Sequence, residues 1–124
     1  MKINCVTPIN INLSNGVYLL QKEGGVGKSY LAYLLAKAYG NKIDTAVVTY
    51  KNNTRVVYGD LKKAKVIMLD RVDRYVDTLS ASAVEGMGKN AIVLMDCKCY
   101  YSSFNVSRKR AYLSYDGDKI EVTR

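Results

Sequence analysis

Lys22-Glu23-Gly24-Gly25-Val26-Gly27-Lys28-Ser29 is the stretch on which the reading of this chain turns. An apolar run, Val17-Tyr18-Leu19-Leu20, precedes it, and an apolar stretch at helical spacing, residues 31–39, follows it. Strand, glycine-rich loop and helix in that order build an anion cradle. Gly24, Gly25 and Gly27 let the backbone curl until successive N–H groups face one anion. A helix that starts near Lys28 adds the positive end of its dipole. The Lys28 ammonium is expected to reach the outer phosphates of a ligand and the Ser29 hydroxyl to ligate Mg²⁺, which points to a nucleoside triphosphate with magnesium. Gly24, Gly25, Val26, Gly27, Lys28, Ser29 and Tyr30 form the expected phosphate-binding set. Lys22 stands where the motif has its first glycine, which alters the entry turn or adds a charge near the phosphates, while the strict Gly27-Lys28-Ser29 end is intact.

Outward from the loop, Ile3 and Cys5 and then Ile9, Ile11 and Leu13 predict a short strand pair around Thr7-Pro8. Asn15-Gly16 is a turn signal admitting a core strand over residues 17–21. Leu31, Leu34, Leu35 and Ala38 give a helix over 28–38 one buried face, and Gly40 ends it. Residues 45–50 are β-branched and predict a strand. Residues 51–65 are polar and basic, with a short helical turn expected at 59–63. Val66-Ile67-Met68-Leu69-Asp70 is an apolar run ending in an acid, and Ala91-Ile92-Val93-Leu94-Met95-Asp96 is a second. A helix is expected over 71–84 and a loop over 86–90. Residues 111–115 and 119–123 flank Asp116-Gly117-Asp118 and read as a C-terminal β-hairpin.

Continuous apolar strands alternating with helices predict an α/β fold, a mostly parallel sheet flanked by helices and completed by that hairpin. Its 124 residues make one domain, residues 1–124. Ligand crevices lie at the carboxyl ends of such strands, so Asp70 and Asp96 are expected on the side of Lys28.

Composition sets limits on function. The chain has no histidine, which excludes histidine-based acid–base or metal chemistry. Its 48% apolar content is too high for a disordered chain. Three cysteines without a signal-peptide pattern predict reduced thiols in a cytoplasm, with Cys97-Lys98-Cys99 too tight for a typical zinc site. No apolar run is long enough for a membrane span. The formal net charge of +8 predicts an anionic partner, such as nucleic acid, an acidic protein surface or the nucleotide itself, against the plainer reading of a lysine-rich solvated surface. Lys51, Arg55, Lys62, Lys63 and Lys65 form one modest basic cluster, and Arg108, Lys109 and Arg110 another. Tyr100, Tyr101 and Phe104 beside the second cluster read as a stacking surface or as half-buried sheet residues.

With these motifs in place, the chain resembles the P-loop NTPases of the RecA-like, or ASCE, kind. Residues 22–29 match Walker A and residues 66–70 match Walker B, and the resemblance covers residues 17–96. The Gly-Gly-Val-Gly-Lys core also resembles the ParA/MinD-type ATPases, but Glu23 stands where their signature lysine belongs, with Lys22 displaced by one. Small P-loop proteins of this sort are similar to ones carried by phages and mobile elements. The resemblance implies ATP as nucleotide, and no Asn-Lys-x-Asp guanine-reading motif is present. It implies that Asp70 holds the magnesium shell together with Ser29. Many members place a catalytic glutamate directly after this aspartate, and here Arg71 occupies that position. Asp73, one turn on, is then a substitute base. Asp96 is a sensor or water-positioning residue, on a strand that in the family lies between the P-loop and Walker B strands. Lys28, Asp70, Asp73 and Asp96 are thus the expected catalytic set. Arg71 and Arg74 are phosphate contacts or, on the plainer reading, salt-bridge partners of Asp73 or Asp77.

The leading expectation is a cytoplasmic ATP-binding protein with weak hydrolysis, coupled to a nucleic acid or a nucleic-acid machine. One alternative is a non-catalytic P-loop scaffold acting as a binding or inhibitor protein of a mobile element. A second is a small nucleotide kinase, since Asp73-Arg74-Tyr75 resembles a thymidylate kinase motif, although the chain leaves little room for a lid. Self-association of a minimal domain with an uncovered sheet edge is a further expectation.

Overall fold

The computed structural model describes residues 1–21, 27–38, 44–75, 79–97 and 106–124. The elements run β1 (Lys2–Ile3), β2 (Ile9–Ile11), β3 (Gly16–Gln21), α1 (Gly27–Ala38), β4 (Thr45–Lys51), β5 (Thr54–Tyr58), β6 (Val66–Leu69), a 3-10 turn (Val72–Arg74), α2 (Ala81–Gly88), β7 (Ile92–Met95), β8 (Lys109–Tyr115) and β9 (Ile120–Thr123). All nine strands join one sheet in the order β1-β2-β9-β8-β3-β7-β6-β4-β5.

This architecture corrects the expectation of a mostly parallel sheet flanked by helices. The sheet is mixed, with antiparallel pairs at β1–β2, β4–β5 and β8–β9, and the described residues hold only two α-helices. The physical reason lies in short turns that return the chain as a neighbouring strand instead of carrying it over the sheet as a helix. Residues 52–58, read from sequence as part of a polar connection, supply the clearest case. Asn52 and Asn53 both adopt left-handed backbone, at φ 51° and 61°. That is the geometry of a two-residue hairpin turn, which asparagine tolerates better than most residues. Lys51 therefore pairs directly with Thr54, and β5 is laid against β4.

Two further boundaries move. The helix expected over 71–84 is replaced by the 3-10 turn and the shorter α2. Arg71 sits in left-handed backbone at φ 51°, which breaks the helix at its start. Ser80 then opens α2 by accepting a hydrogen bond from the Ala83 amide at 3.1 Å. α2 runs on to Gly88 through the loop expected at 86–90. It can do so because Gly88 lies against β3: a Cβ there would meet Val17 at 2.7 Å. The helix terminus at Gly40 lies outside the described residues.

Within this sheet, β8, β3, β7, β6 and β4 form a continuous parallel block. Alternation along its strands sends side chains to two cores. Tyr18, Leu20, Val47, Val66, Met68, Ile92 and Leu94 pack on the face that carries Leu31, Leu34 and Leu35 of α1. Val17, Val48, Ile67, Leu69, Val93 and Met95 pack on the other, with Val84 of α2. Strands buried on both faces explain why β6 and β7 read as unbroken apolar runs. No helix among the described residues is long and apolar enough to cross a membrane.

Candidate functional site

Register places the ends of three parallel strands side by side. Val48 of β4 is level with Leu69 of β6, and Leu69 is level with Met95 of β7. The next residues, Thr49, Asp70 and Asp96, therefore share one level at the carboxyl ends of the strands. The ladder continues there, because the Asp70 amide donates to Val48 O at 2.9 Å and the Asp96 amide donates to Leu69 O at 2.9 Å. Alternation fixes their direction. Val48, Leu69 and Met95 belong to the α2 face, so Thr49, Asp70 and Asp96 fall on the α1 face.

Lys28, in the first turn of α1, comes down on this row. Its Nζ lies 3.1 Å from Asp96 Oδ1, with the side chains 20% and 8% exposed. Partly removed from bulk water, such a pair is costly to break from one side, because the charge left behind loses both its partner and full hydration. Asp70 lies between Thr49 and Asp96 in the ladder. Its Oδ2 accepts a hydrogen bond from Thr49 Oγ1 at 3.1 Å. Its Oδ1 is buried and has no hydrogen-bond partner among the described residues. Burial pushes the Asp70 carboxyl above the usual aspartate range, and the charge of Asp96 adds to this, while the Thr49 hydroxyl and the charges of Arg71 and Arg74 oppose it.

The main chain beneath Asp70 is braced by Tyr75. Its buried hydroxyl is shared between Asp70 O at 2.9 Å and Val48 O at 3.2 Å. Burial, with Asp70, Asp73 and Asp96 nearby, pushes the Tyr75 phenol strongly upward, so it serves as a neutral donor. In the Asp73-Arg74-Tyr75 tripeptide the tyrosine is thus a strut between β4 and β6. Asp73 is held by Arg71, whose Nε and Nη2 donate to its two carboxylate oxygens at 3.3 and 3.1 Å. The plainer reading of Arg71, as a partner of Asp73, is the one the geometry supports. Asp77 lies outside the described residues.

The expected site residues therefore separate into groups. Lys28 is paired with Asp96, and Asp70 stands next to Asp96 in the ladder. Asp73 is two-point bonded to Arg71 and turned to a separate contact. Ser29 follows Lys28 in α1 and is exposed. Gly27 opens α1 and is buried. The Tyr30 ring points to another cluster: its hydroxyl hydrogen-bonds Thr7 Oγ1, and the ring packs on Tyr33 and Tyr115. Gly24, Gly25 and Val26 lie outside the described residues, as do Lys22 and Glu23. Cys99, Tyr100, Tyr101 and Phe104 also lie outside them, whereas Cys5 and Cys97 are both half-buried. Thr49 was not singled out by sequence, and Tyr75 was noted only within the Asp73-Arg74-Tyr75 motif, not as a brace for Asp70. Thr49 had a legible signal, a hydroxyl two residues after Val47 on the same face of a strand that ends beside Asp70.

The donor set suits a hard cation. Among the described residues no cluster of three or more cysteines or carboxylates could enclose a metal by itself. A buried carboxylate oxygen lacking a donor among the described residues is the one feature here that would fit Mg²⁺, which proteins commonly hold by one or two carboxylates and leave to phosphates and water to complete. Asp70 and Ser29 would hold such an ion, and Lys28 would meet the phosphates. When bound, the ion would neutralise charge on the outer phosphates. Comparison with known protein families, known proteins and solved structures finds no match for this chain.

Proposed function

We propose that this protein binds Mg·ATP through residues 24–29 and couples that binding, with slow hydrolysis, to a nucleic acid or a nucleic-acid machine. The observation that carries the reading is the Lys28–Asp96 ion pair beside Asp70, the two acids ending adjacent parallel strands, with Asp70 Oδ1 buried and unpartnered among the described residues. Support also comes from strand order: β7, followed by Asp96, lies between β3, which precedes the glycine-rich stretch in the sequence, and β6, followed by Asp70. That is the order the resemblance to RecA-like P-loop proteins implies.

Slow turnover follows from the residues near Asp70. Arg71 stands in place of the family's glutamate, and Asp73 is engaged by Arg71 through two hydrogen bonds. Asp96 is left as the acid that positions water once Lys28 turns to phosphate. The partner surface is the basic cluster on the β4–β5 hairpin and the turn after it, where Lys51, Arg55, Lys62, Lys63 and Lys65 are all exposed. This hairpin grows out of β4, the strand that carries Thr49.

Calorimetric titration with Mg·ATP and Mg·GTP, beside Lys28→Ala and Asp70→Ala, tests the proposal. ATP binding that is lost in the lysine variant and loses its magnesium dependence in the aspartate variant is the expected result. Wild-type protein that binds neither nucleotide would overturn it.

A further inference from the structure

Resting on the Mg·ATP reading above, we propose that Thr49 is a positioning residue: its hydroxyl orients the Asp70 carboxylate so that Oδ1, rather than both oxygens, is presented to the divalent cation.

The argument begins with the two oxygens of one side chain. Asp70 Oδ2 takes the Thr49 hydrogen bond at 3.1 Å, while Oδ1 is buried without a donor among the described residues. A carboxylate in water satisfies both oxygens, and one moved into a protein rotates until its lone pairs meet donors. Leaving one oxygen unmatched in a buried place is unfavourable, so something must hold the plane of the group. The main chain is held by Tyr75, through Asp70 O and Val48 O. That fixes where the Asp70 side chain starts and leaves its terminal torsion open. The Thr49 hydroxyl supplies the missing constraint, because it is the donor that meets a carboxylate oxygen of Asp70.

Thr49 is suited to this by its place in the sheet. Its neighbour Val48 is in register with Leu69, so Thr49 stands beside Asp70 on the α1 face. A β-branched side chain on a strand has few χ1 choices, so the hydroxyl is itself pre-set. Thr49 is paired across the hairpin with Val56 of β5, which ties the donor to the edge strand as well. The bond also favours the ionised carboxylate against burial. Groups that orient a metal ligand in this way, without touching the metal, commonly change affinity by about 10–100-fold when removed.

The test is ATP binding by calorimetry at stepped Mg²⁺ concentrations, and in EDTA, for wild type, Thr49→Val and Thr49→Ser. Valine keeps the shape and removes the hydroxyl; serine keeps the hydroxyl. The expected result is a Mg²⁺ midpoint about 10-fold or more higher in Thr49→Val, near the wild-type midpoint in Thr49→Ser, with ATP affinity in EDTA the same in all three. A wild-type midpoint in Thr49→Val overturns the role of Thr49, as does a serine variant as defective as valine or an equal loss of affinity in EDTA. Wild-type protein that binds no ATP in either arm overturns the Mg·ATP reading itself, and this role with it.

Discussion

Lys28 Nζ and Asp96 Oδ1 lie 3.1 Å apart, an ion pair that ties the first turn of α1 to the end of β7. The lysine that the glycine-rich motif marks for phosphate is thereby charge-matched by the acid that ends the second apolar run. On the Mg·ATP reading proposed above, a phosphate that captures Lys28 would have to compete with Asp96.

Breaking the pair from one side should be costly. Lys28→Met leaves the Asp96 carboxylate, 8% exposed, without its cation. The expected loss is about 2–3 kcal/mol in urea unfolding, and Asp96→Asn added to it should restore most of that loss. Equal stability of wild type and Lys28→Met would show that the pair contributes nothing to the fold.

Asp70 gives a pH signature. Its folded pKa is raised by burial, so the folded protein holds this proton more tightly than the unfolded chain. The sign follows: between the ordinary aspartate value and the raised one the native state binds more protons, so stability falls as pH rises through that window. Asp70→Asn should lack this slope. It should melt above wild type at neutral pH, with the gap closing as pH falls below the ordinary aspartate range. Parallel melting curves from pH 3 to 7 would contradict the burial argument.

Gly59 and Gly86 should respond oppositely to alanine. Gly59 adopts φ +88°, and a Cβ there would lie 2.4 Å from the carbonyl oxygen of Thr45. Gly59→Ala should cost about 2 kcal/mol or more, since both the backbone conformation and the contact resist it. Gly86 lies within α2 with nothing within 4 Å of an added Cβ. Gly86→Ala should stabilise by about 0.5–1 kcal/mol. Denaturation midpoints of the two variants decide both.

The basic hairpin can be tested through salt. If Lys51, Lys62 and Lys63, all exposed, contact phosphates, then changing all three to glutamine should weaken binding of a single-stranded oligonucleotide. The slope of log K against log salt should also shrink by about 2. Fluorescence anisotropy at several salt concentrations measures it. An unchanged slope places any polyanion elsewhere.

Sequence by itself determined the local elements of the site. Gly27-Lys28-Ser29 after an apolar strand marks the start of α1, and the two apolar runs ending in Asp70 and Asp96 mark strands buried on both faces. These are readable because each depends on neighbours in the chain: glycine curvature, helical spacing, the width of a strand. Three elements were misread for the same reason. β5 hides behind the left-handed pair Asn52-Asn53, the helix after β6 is cut short by Arg71, and α2 extends through Gly86 and Gly88. What only the tertiary structure decided is which residues meet. That Asp96 pairs with Lys28, that Asp73 turns to Arg71 and that Thr49 reaches Asp70 depends on strand order and register between segments 21 to 68 residues apart, or on a left-handed turn no periodicity announces. Such contacts are set by packing α1 on one face of the sheet and α2 on the other. That packing energy belongs to the assembled cores and to no single stretch of the chain.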